Sequence, residues 1–330
     1  MKTRVLAASV AAVLVSIGSS GATRATAAPP VGAAREIRVP AGKTTLYARD
    51  IGSGPAVIVL HGGPDFDHRY LLPDFDRLAG SFRLIYYDQR GRGRSADRVD
   101  PRDVTLASDL DDLETVRRYF RLDAPIVLGH SWGAILAMEY ALRNPSAVSR
   151  LVLMNPAPAS TADVAVFRKY YARKMGPDLD RQLEIASSAA YQAGDPAAVT
   201  ARYRLHFKPS VTRAADYERL MKTMSAGFRR QGSNGILKAR AVEDRLMRDT
   251  WEIDGYDLLP RLRTLKTPAL VISGDGDFIP PDIAEHIAQA LPQGRLVALR
   301  QCGHFSYLEC PANVRTALVN FINPQARTRR

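Results

Sequence analysis

Ser131 stands at the centre of Gly129-His130-Ser131-Trp132-Gly133. The apolar run Ala124-Pro125-Ile126-Val127-Leu128 precedes it, and Ala134-Ile135-Leu136-Ala137-Met138 follows. This reads as a strand, a sharp turn and a helix, with a serine at the apex. So tight a turn favours glycine two residues before and two after the serine. It lifts Oγ above the sheet edge and aims the first helix amides at the reacting centre. A serine hydroxyl is a poor nucleophile near neutral pH. It needs a base to take its proton and a carboxylate to orient that base. Two later segments carry such groups: Gly274-Asp275-Gly276-Asp277 and Cys302-Gly303-His304-Phe305.

The elements that must position these residues follow from apolar patterning. Glu36 to Pro40 and Thr44 to Asp50 read as short strands joined at Ala41-Gly42. Ala56 to Leu60 has the look of a strand buried on both faces, and Phe82 to Tyr87 reads as another. Residues 105 to 120 place Leu106, Leu110, Leu113, Val116 and Phe120 at helical spacing, with Asp109, Asp111 and Asp112 expected outside. The strand Pro125 to Leu128, the helix Gly133 to Arg143 and the strand Leu151 to Met154 continue the alternation. From Ala157 to about Asp257 the patterns are helical, with charges throughout. Strand and helix alternation resumes with Ala269 to Ile272, a helix near 281 to 291, the strand Arg295 to Leu299 and a closing helix from Pro311 to Ile322. The pattern predicts a mostly parallel twisted sheet flanked by helices, with an inserted helical cap, and Gly129-His130-Ser131-Trp132-Gly133 between a strand and a helix resembles the nucleophile elbow of the α/β-hydrolase fold. Its expected parts are a core of residues 28–156 and 258–330 and a cap of residues 157–257. A cap inserted after a strand's C-terminal end covers the edge where open α/β sheets bind ligands.

In that fold the chemical order along the chain is serine, acid, histidine. Asp277, at the far side of the loop after Ala269 to Ile272, is the expected acid, and Asp275 a turn former. His304 is the expected base, with Gly303 turning the backbone towards the elbow. The tetrahedral intermediate needs two amide donors. The candidates are the N–H groups of Trp132 and of Gly63, in His61-Gly62-Gly63-Pro64. His61 is read as a brace for that loop, and His68, His206 and His286 receive no role. Tyr87 to Ser95, with Gly91 and Gly93 flanking Arg92, reads as supporting architecture in which Asp88 and Arg90 pair.

The remaining bounds are broad. The chain has 330 residues, two cysteines and a net charge of +12. Lys2 and Arg4, the apolar stretch Val5 to Ile17 and the small residues Ala25-Thr26-Ala27 have the form of a secretory signal peptide spanning residues 1–27. An uncleaved anchor is the other reading. The chain is thus expected to be secreted or periplasmic, and losing Lys2, Arg4 and Arg24 would leave a charge of +9. No later segment approaches the ~20 apolar residues that span a bilayer. No nucleic-acid motif, phosphate loop or metal-ligand spacing is found, so no cofactor is implied. Export permits a Cys302–Cys310 disulfide without requiring one; two buried thiols are the alternative.

Together, His61-Gly62-Gly63-Pro64, Asp88-Gln89-Arg90-Gly91-Arg92-Gly93-Arg94-Ser95, Gly129-His130-Ser131-Trp132-Gly133, Gly274-Asp275-Gly276-Asp277 and Gly303-His304-Phe305 resemble the prolyl aminopeptidase (proline iminopeptidase) branch of the α/β-hydrolases. The resemblance covers residues 36–156 and 258–322. It implies Ser131 as nucleophile, Asp277 as orienter, His304 as base and the Gly63 and Trp132 amides as oxyanion hole. It further implies metal-free release of an N-terminal residue, typically proline, from a short peptide. Two departures stand out. The family usually has glycine after the loop proline, where this chain has Asp65; that carboxylate either attracts a substrate amine or caps the following helix. Family peptidases also hold the substrate ammonium with cap glutamates, and their cap motif is absent. The acid-rich piece of the cap is Glu243, Asp244, Asp249, Glu252, Asp254 and Asp257. Glu252, beside Trp251, is the candidate for the amine, against a solvated helix face.

Three functions follow. The first is an exported aminopeptidase acting through an acyl-enzyme. The second is a carboxylesterase or lactonase on small esters with the same triad. The third is a ligand-binding protein that kept the fold, against which the intact Ser131, Asp277 and His304 argue. Epoxide hydrolases and haloalkane dehalogenases normally carry aspartate where Ser131 stands.

Overall fold

The computed structural model describes residues 32–323. The expected signal peptide, residues 1–27, and the basic tail Arg327 to Arg330 lie outside the described residues. Eight strands form one sheet: β1 (Arg35–Ala41), β2 (Thr44–Ile51), β3 (Ala56–Leu60), β4 (Arg83–Tyr87), β5 (Ile126–His130), β6 (Arg150–Met154), β7 (Ala269–Gly274) and β8 (Gly294–Leu299). Their order is β1-β2-β4-β3-β5-β6-β7-β8. The β1–β2 and β2–β4 pairs are antiparallel, and every other pair is parallel. The central strands are nearly continuous apolar runs, because helices cover both faces of the parallel part. Val57 to Leu60, Ile126 to Leu128, Leu151 to Met154 and Ala269 to Ile272 are all buried.

Helices α1 (Leu106–Tyr119) and α2 (Trp132–Arg143) belong to this core. A capping box starts α1: Thr105 Oγ1 accepts from Ser108 N–H, and Ser108 Oγ accepts from Thr105 N–H. The face of α1 that was expected outside is partly inside. Asp109 and Asp112 are buried, because arginines reach them. Arg92 pairs with Asp109, and Arg90 Nε donates to Asp112 at 2.8 Å. The expected Asp88–Arg90 pair does not form. Asp88 instead faces His68 Nδ1 at 2.5 Å and accepts from Arg94 N–H at 2.8 Å. Buried carboxylates need partners of this kind.

Between β6 and β7 the chain builds α3 (Thr161–Met175), α4 (Asp178–Ser187), α5 (Ala189–Gln192), α6 (Pro196–Phe207) and α7 (Ala214–Arg248). The long α7 is interrupted at Gly232, whose φ is 61°. The two ends of this insertion meet at a bridge between Ser160 and Asp257, beside Leu258 N–H donating to Ala159 C=O at 2.9 Å. The chain then re-enters the sheet through α8 (Leu259–Leu262), and α9 (Pro281–Ala290), α10 (Ser306–Glu309) and α11 (Pro311–Ile322) complete it. Among the described residues no helix is long and apolar enough to cross a membrane.

Candidate active site

Strands β3, β5, β6 and β7 run parallel in a register that pairs Leu60 with Gly129, His130 with Met154 and Met154 with Ile272. Their C-terminal ends therefore deliver His61-Gly62-Gly63, Ser131, Asn155 and the Asp277 loop to one edge. Ser131 has φ 54° and ψ −121°, a left-handed conformation that costs a side-chain-bearing residue about 1–3 kcal/mol. Its surroundings hold it there. Ser131 N–H donates to Met154 C=O at 3.0 Å, and Ser131 C=O accepts from Ala134 and Ala157 N–H at 2.9 and 3.2 Å. The flanking glycines are required by contact, since a Cβ on Gly129 would run into the Gly133 carbonyl and one on Gly133 into that of Leu60.

Asp277 and His304 are both buried. His304 Nδ1 lies 2.9 Å from Asp277 Oδ1 and 3.1 Å from Oδ2. Asp277 Oδ1 also accepts from Ile279 N–H at 2.9 Å. Asp275 turns away and accepts from Gln301 N–H at 2.7 Å. His304 and Ser131 line the same pocket. The His304 ring bonds to Asp277 alone, and among the described residues no bond from Ser131 Oγ closes on Nε2. Such contacts commonly tighten only when substrate is present. In chemical terms the arrangement sets an alcohol and an imidazole paired with a carboxylate on one cavity, with Gly63 in its lining.

His304 is carried on a fastened loop. A disulfide joins Cys302 to Cys310, with Cα atoms 6.2 Å apart, and closes the segment that contains His304. Glu309, inside that segment, accepts from Gly303 N–H at 2.9 Å and from Thr212 N–H at 2.7 Å. His304 N–H donates to Ser210 C=O at 2.7 Å. The turn after α6 and the His304 loop are thereby joined.

A directed chain crosses the site. Gly62 N–H donates to Tyr70 Oη at 2.8 Å, so the Tyr70 hydroxyl donates onward to His130 Nδ1 at 2.7 Å. His130 is then protonated on Nε2, which donates to His304 C=O at 2.9 Å. Burial, and then the neighbouring His304, push His130 down to about 3, so it stays neutral. His61 braces its loop in the same way. Its Nε2 accepts from Gln89 N–H at 3.1 Å, and its carbonyl accepts from Gln89 Nε2 at 2.9 Å. Burial, with Arg92 nearby, lowers His61 to about 4.

Gly63, with φ 123°, lines the pocket with Ser131 and His304. Trp132 N–H opens α2, where the first amides lack intrahelical partners. The cavity holds about 100 Å³, the room of a few waters. Phe66, Phe207, Phe278 and Phe305 wall it, and Asp65, Glu243 and Arg202 bring ionisable groups to it.

Asp65 does not cap the following helix; Asp67 does, accepting from Arg69 N–H. Asp65 instead accepts from Tyr203 Oη at 2.8 Å inside the pocket. Glu252 is exposed, away from the pocket lining. Its backbone follows the end of α7, with its N–H donating to Met247 C=O at 2.9 Å. Glu243, inside α7, is the acid of that helix that lines the pocket. Burial, and then the charge of Asp65, push the Glu243 carboxyl up to about 8. Burial also raises Asp65, against the hydrogen bond from Tyr203. Glu243 stood in the acid-rich piece of the sequence, but nothing along the chain distinguished it from its neighbours.

Folding also gathers Asp67, His68 and Asp88 within reach of a shared ion, although their spacing along the chain shows no ligand pattern. Their lone pairs already serve Arg69, His68 and Arg94, so the cluster is satisfied by hydrogen bonds.

Fold and site define an α/β-hydrolase. Residues 55–311 match the family model described as the alpha/beta hydrolase fold, and the chain belongs to that family. It is similar to a proline iminopeptidase of Heyndrickxia coagulans, with 27% identity over 82% of this chain and 92% of that one. A proline iminopeptidase of Chitinophaga pinensis is 23% identical over 87% of this chain and 96% of its own. The crystal structure of a Mycobacterium smegmatis proline iminopeptidase superposes with a TM-score of 0.64 at 23% identity, covering 88% of this chain and 98% of that chain.

Proposed function

We propose that this protein is an exported serine hydrolase that releases an N-terminal proline or similar small residue from short peptides. Ser131 Oγ attacks the carbonyl carbon of the first residue while His304 Nε2 takes the hydroxyl proton. Asp277 holds the imidazole through Nδ1–H and stabilises its charge. The N–H groups of Gly63 and Trp132 receive the oxyanion, an interaction whose loss costs roughly 10²–10³ in turnover in known cases. His304 returns the proton to the leaving amine, which departs and leaves an acyl-Ser131 ester. Water, deprotonated by His304, then hydrolyses that ester and restores Oγ–H. Residues 157–257 act as the cap over this chemistry.

One observation carries the peptidase reading. The pocket that holds Ser131 and His304 also holds two carboxyl groups, Asp65 and Glu243. Both are half-buried, and desolvation raises the pKa of both despite Arg202 in the same pocket, so a substrate ammonium beside them favours their charged forms. The small cavity suits one small residue. Export is supported by the character of residues 1–27 and by the Cys302–Cys310 bridge, since disulfides persist in oxidising compartments.

The second reading, a carboxylesterase or lactonase, is favoured by the aromatic wall of Phe66, Phe207, Phe278 and Phe305, which suits an apolar acyl group. Chromophore release from a prolyl amide, its N-acetylated form and a short-chain acyl ester separates the two. The peptidase reading expects the free-amine amide to be cleaved and the acetylated one spared. Cleavage of the ester alone overturns it.

A further inference from the structure

Asn155 follows the last residue of β6 and has no part in the scheme above. It is buried, and its φ of 47° lies in the left-handed region that asparagine tolerates better than most side chains. Its carboxamide is fully used. Nδ2 donates to Asp277 Oδ2 at 2.9 Å and to Gly303 C=O at 3.1 Å. Oδ1 accepts from Ser306 Oγ at 2.6 Å. The orientation of the amide follows from chemistry: a carboxylate and a carbonyl both accept, so the nitrogen must face them, and both of its hydrogens are spent. One planar group therefore grips the acid itself and the peptide immediately before the base. Its backbone N–H is tied to β7 through Ile272 C=O at 2.7 Å.

We propose that Asn155 is a positioning residue that sets the Asp277–His304 geometry by holding the acid's second oxygen and the Gly303 carbonyl at once. The inference rests on the reading of Ser131, His304 and Asp277 as the catalytic set. A hydrogen bond to a charged acceptor does two things here. It stops the carboxylate from rotating out of line with the imidazole, and it draws charge away from Oδ2. Without it the carboxylate is more basic and holds the imidazolium more firmly, so the base is spent as an acid at higher pH. The other groups facing the pair are Lys174, whose Nζ donates to the Gly276 and Asp277 carbonyls, and Tyr170, His130, His206 and Glu309. All are unchanged in an Asn155 variant. Burial keeps His130 and His206 at about 3, so neither titrates near neutral pH.

The test uses Asn155→Gly, which tolerates the left-handed backbone, and Asn155→Asp, which keeps the shape and turns both donors into acceptors. Turnover of a chromogenic substrate that the wild type cleaves is followed from pH 5 to 9, with Ser131→Ala as control and melting monitored by circular dichroism. In folded Asn155→Gly, kcat falls about ten- to a hundredfold with KM little changed, and the acid limb of kcat/KM moves up by about half to one pH unit. Asn155→Asp moves the limb further in the same direction, and it decides the question if the glycine variant does not fold. An unshifted acid limb in a folded variant, whatever the loss of rate, overturns the proposal. So does wild-type kcat. If Ser131→Ala retains turnover, the catalytic set itself is wrong, a failure distinct from that of Asn155.

Discussion

Glu243→Gln probes the cation end of the pocket through two opposite effects. Burial, and then the charge of Asp65, move the wild-type carboxyl from its ordinary 4.5 to about 8. The unfolded chain releases this proton near the ordinary value, while the folded chain keeps it to about 8. Wild-type stability is therefore fully present at low pH and falls as pH rises through that window. Each pH unit is worth about 1.4 kcal/mol, so the cost by pH 9 is at most about 5 kcal/mol, shared with Asp65. Glutamine has no proton to lose. The variant should melt above the wild type at pH 9 and close to it at pH 5. Activity should move the other way. A charge-assisted hydrogen bond to a substrate ammonium contributes about 1.5–3 kcal/mol, so kcat/KM for a free-amine prolyl amide should fall roughly ten- to a hundredfold. A short-chain ester should be affected little. With a carboxyl that titrates at about 8, roughly a tenth is ionised at pH 7, so the wild-type KM for amines should improve between pH 7 and 9 until the amine itself deprotonates. The variant should lose that slope. Thermal scans at the two pH values and initial rates on the paired substrates read all of this. Equal melting differences at both pH values, together with an unchanged amine preference, would refute the assignment of Glu243 as the pocket's cation partner.

Ser131→Ala should abolish turnover and fluorophosphonate labelling while leaving the melting temperature near that of the wild type; retained turnover would remove Ser131 as nucleophile. Cys302→Ala/Cys310→Ala, or reductant, should lower both melting temperature and kcat, because the bridge closes the loop that bears His304. A loop this short is worth up to about 3 kcal/mol, and unchanged kinetics would separate the bridge from catalysis. Arg92→Met should be among the most destabilising substitutions in the core. It leaves Asp109 buried without its partner, at about 3–5 kcal/mol, or on the order of 10 °C in Tm. Calorimetry checks it, and the double variant Arg92→Met/Asp109→Asn should recover part of the loss.

Much of the fold was legible because its signals are local. The runs Ala56 to Leu60 and Ala269 to Ile272 are apolar on both faces, and that pattern belongs to a buried parallel strand wherever it occurs. Gly129 and Gly133 announce a turn that tolerates no Cβ. The charged pairings were not legible. Asp109 and Asp112 read as the wet face of α1 because helical periodicity reports hydrophobicity, not the arrival of Arg90 and Arg92 from another loop. Asn155 carried a faint signal, a polar residue at the C-terminal end of a central strand, but one such residue follows many strands.

Residue type and spacing alone determined the serine at its sharp turn, the placing of Asp277 and His304 just after later strands, and the alternation that builds the sheet. Those properties depend on neighbours within a few positions, so the chain states them directly. Only the tertiary structure decided which acids share the pocket. It placed Asp65 and Glu243 there and left Glu252 in solvent, and it set Asn155 against both Asp277 and Gly303. Which side chains meet across such distances is fixed by strand register and by how α7 lies over the sheet, and no local pattern encodes that.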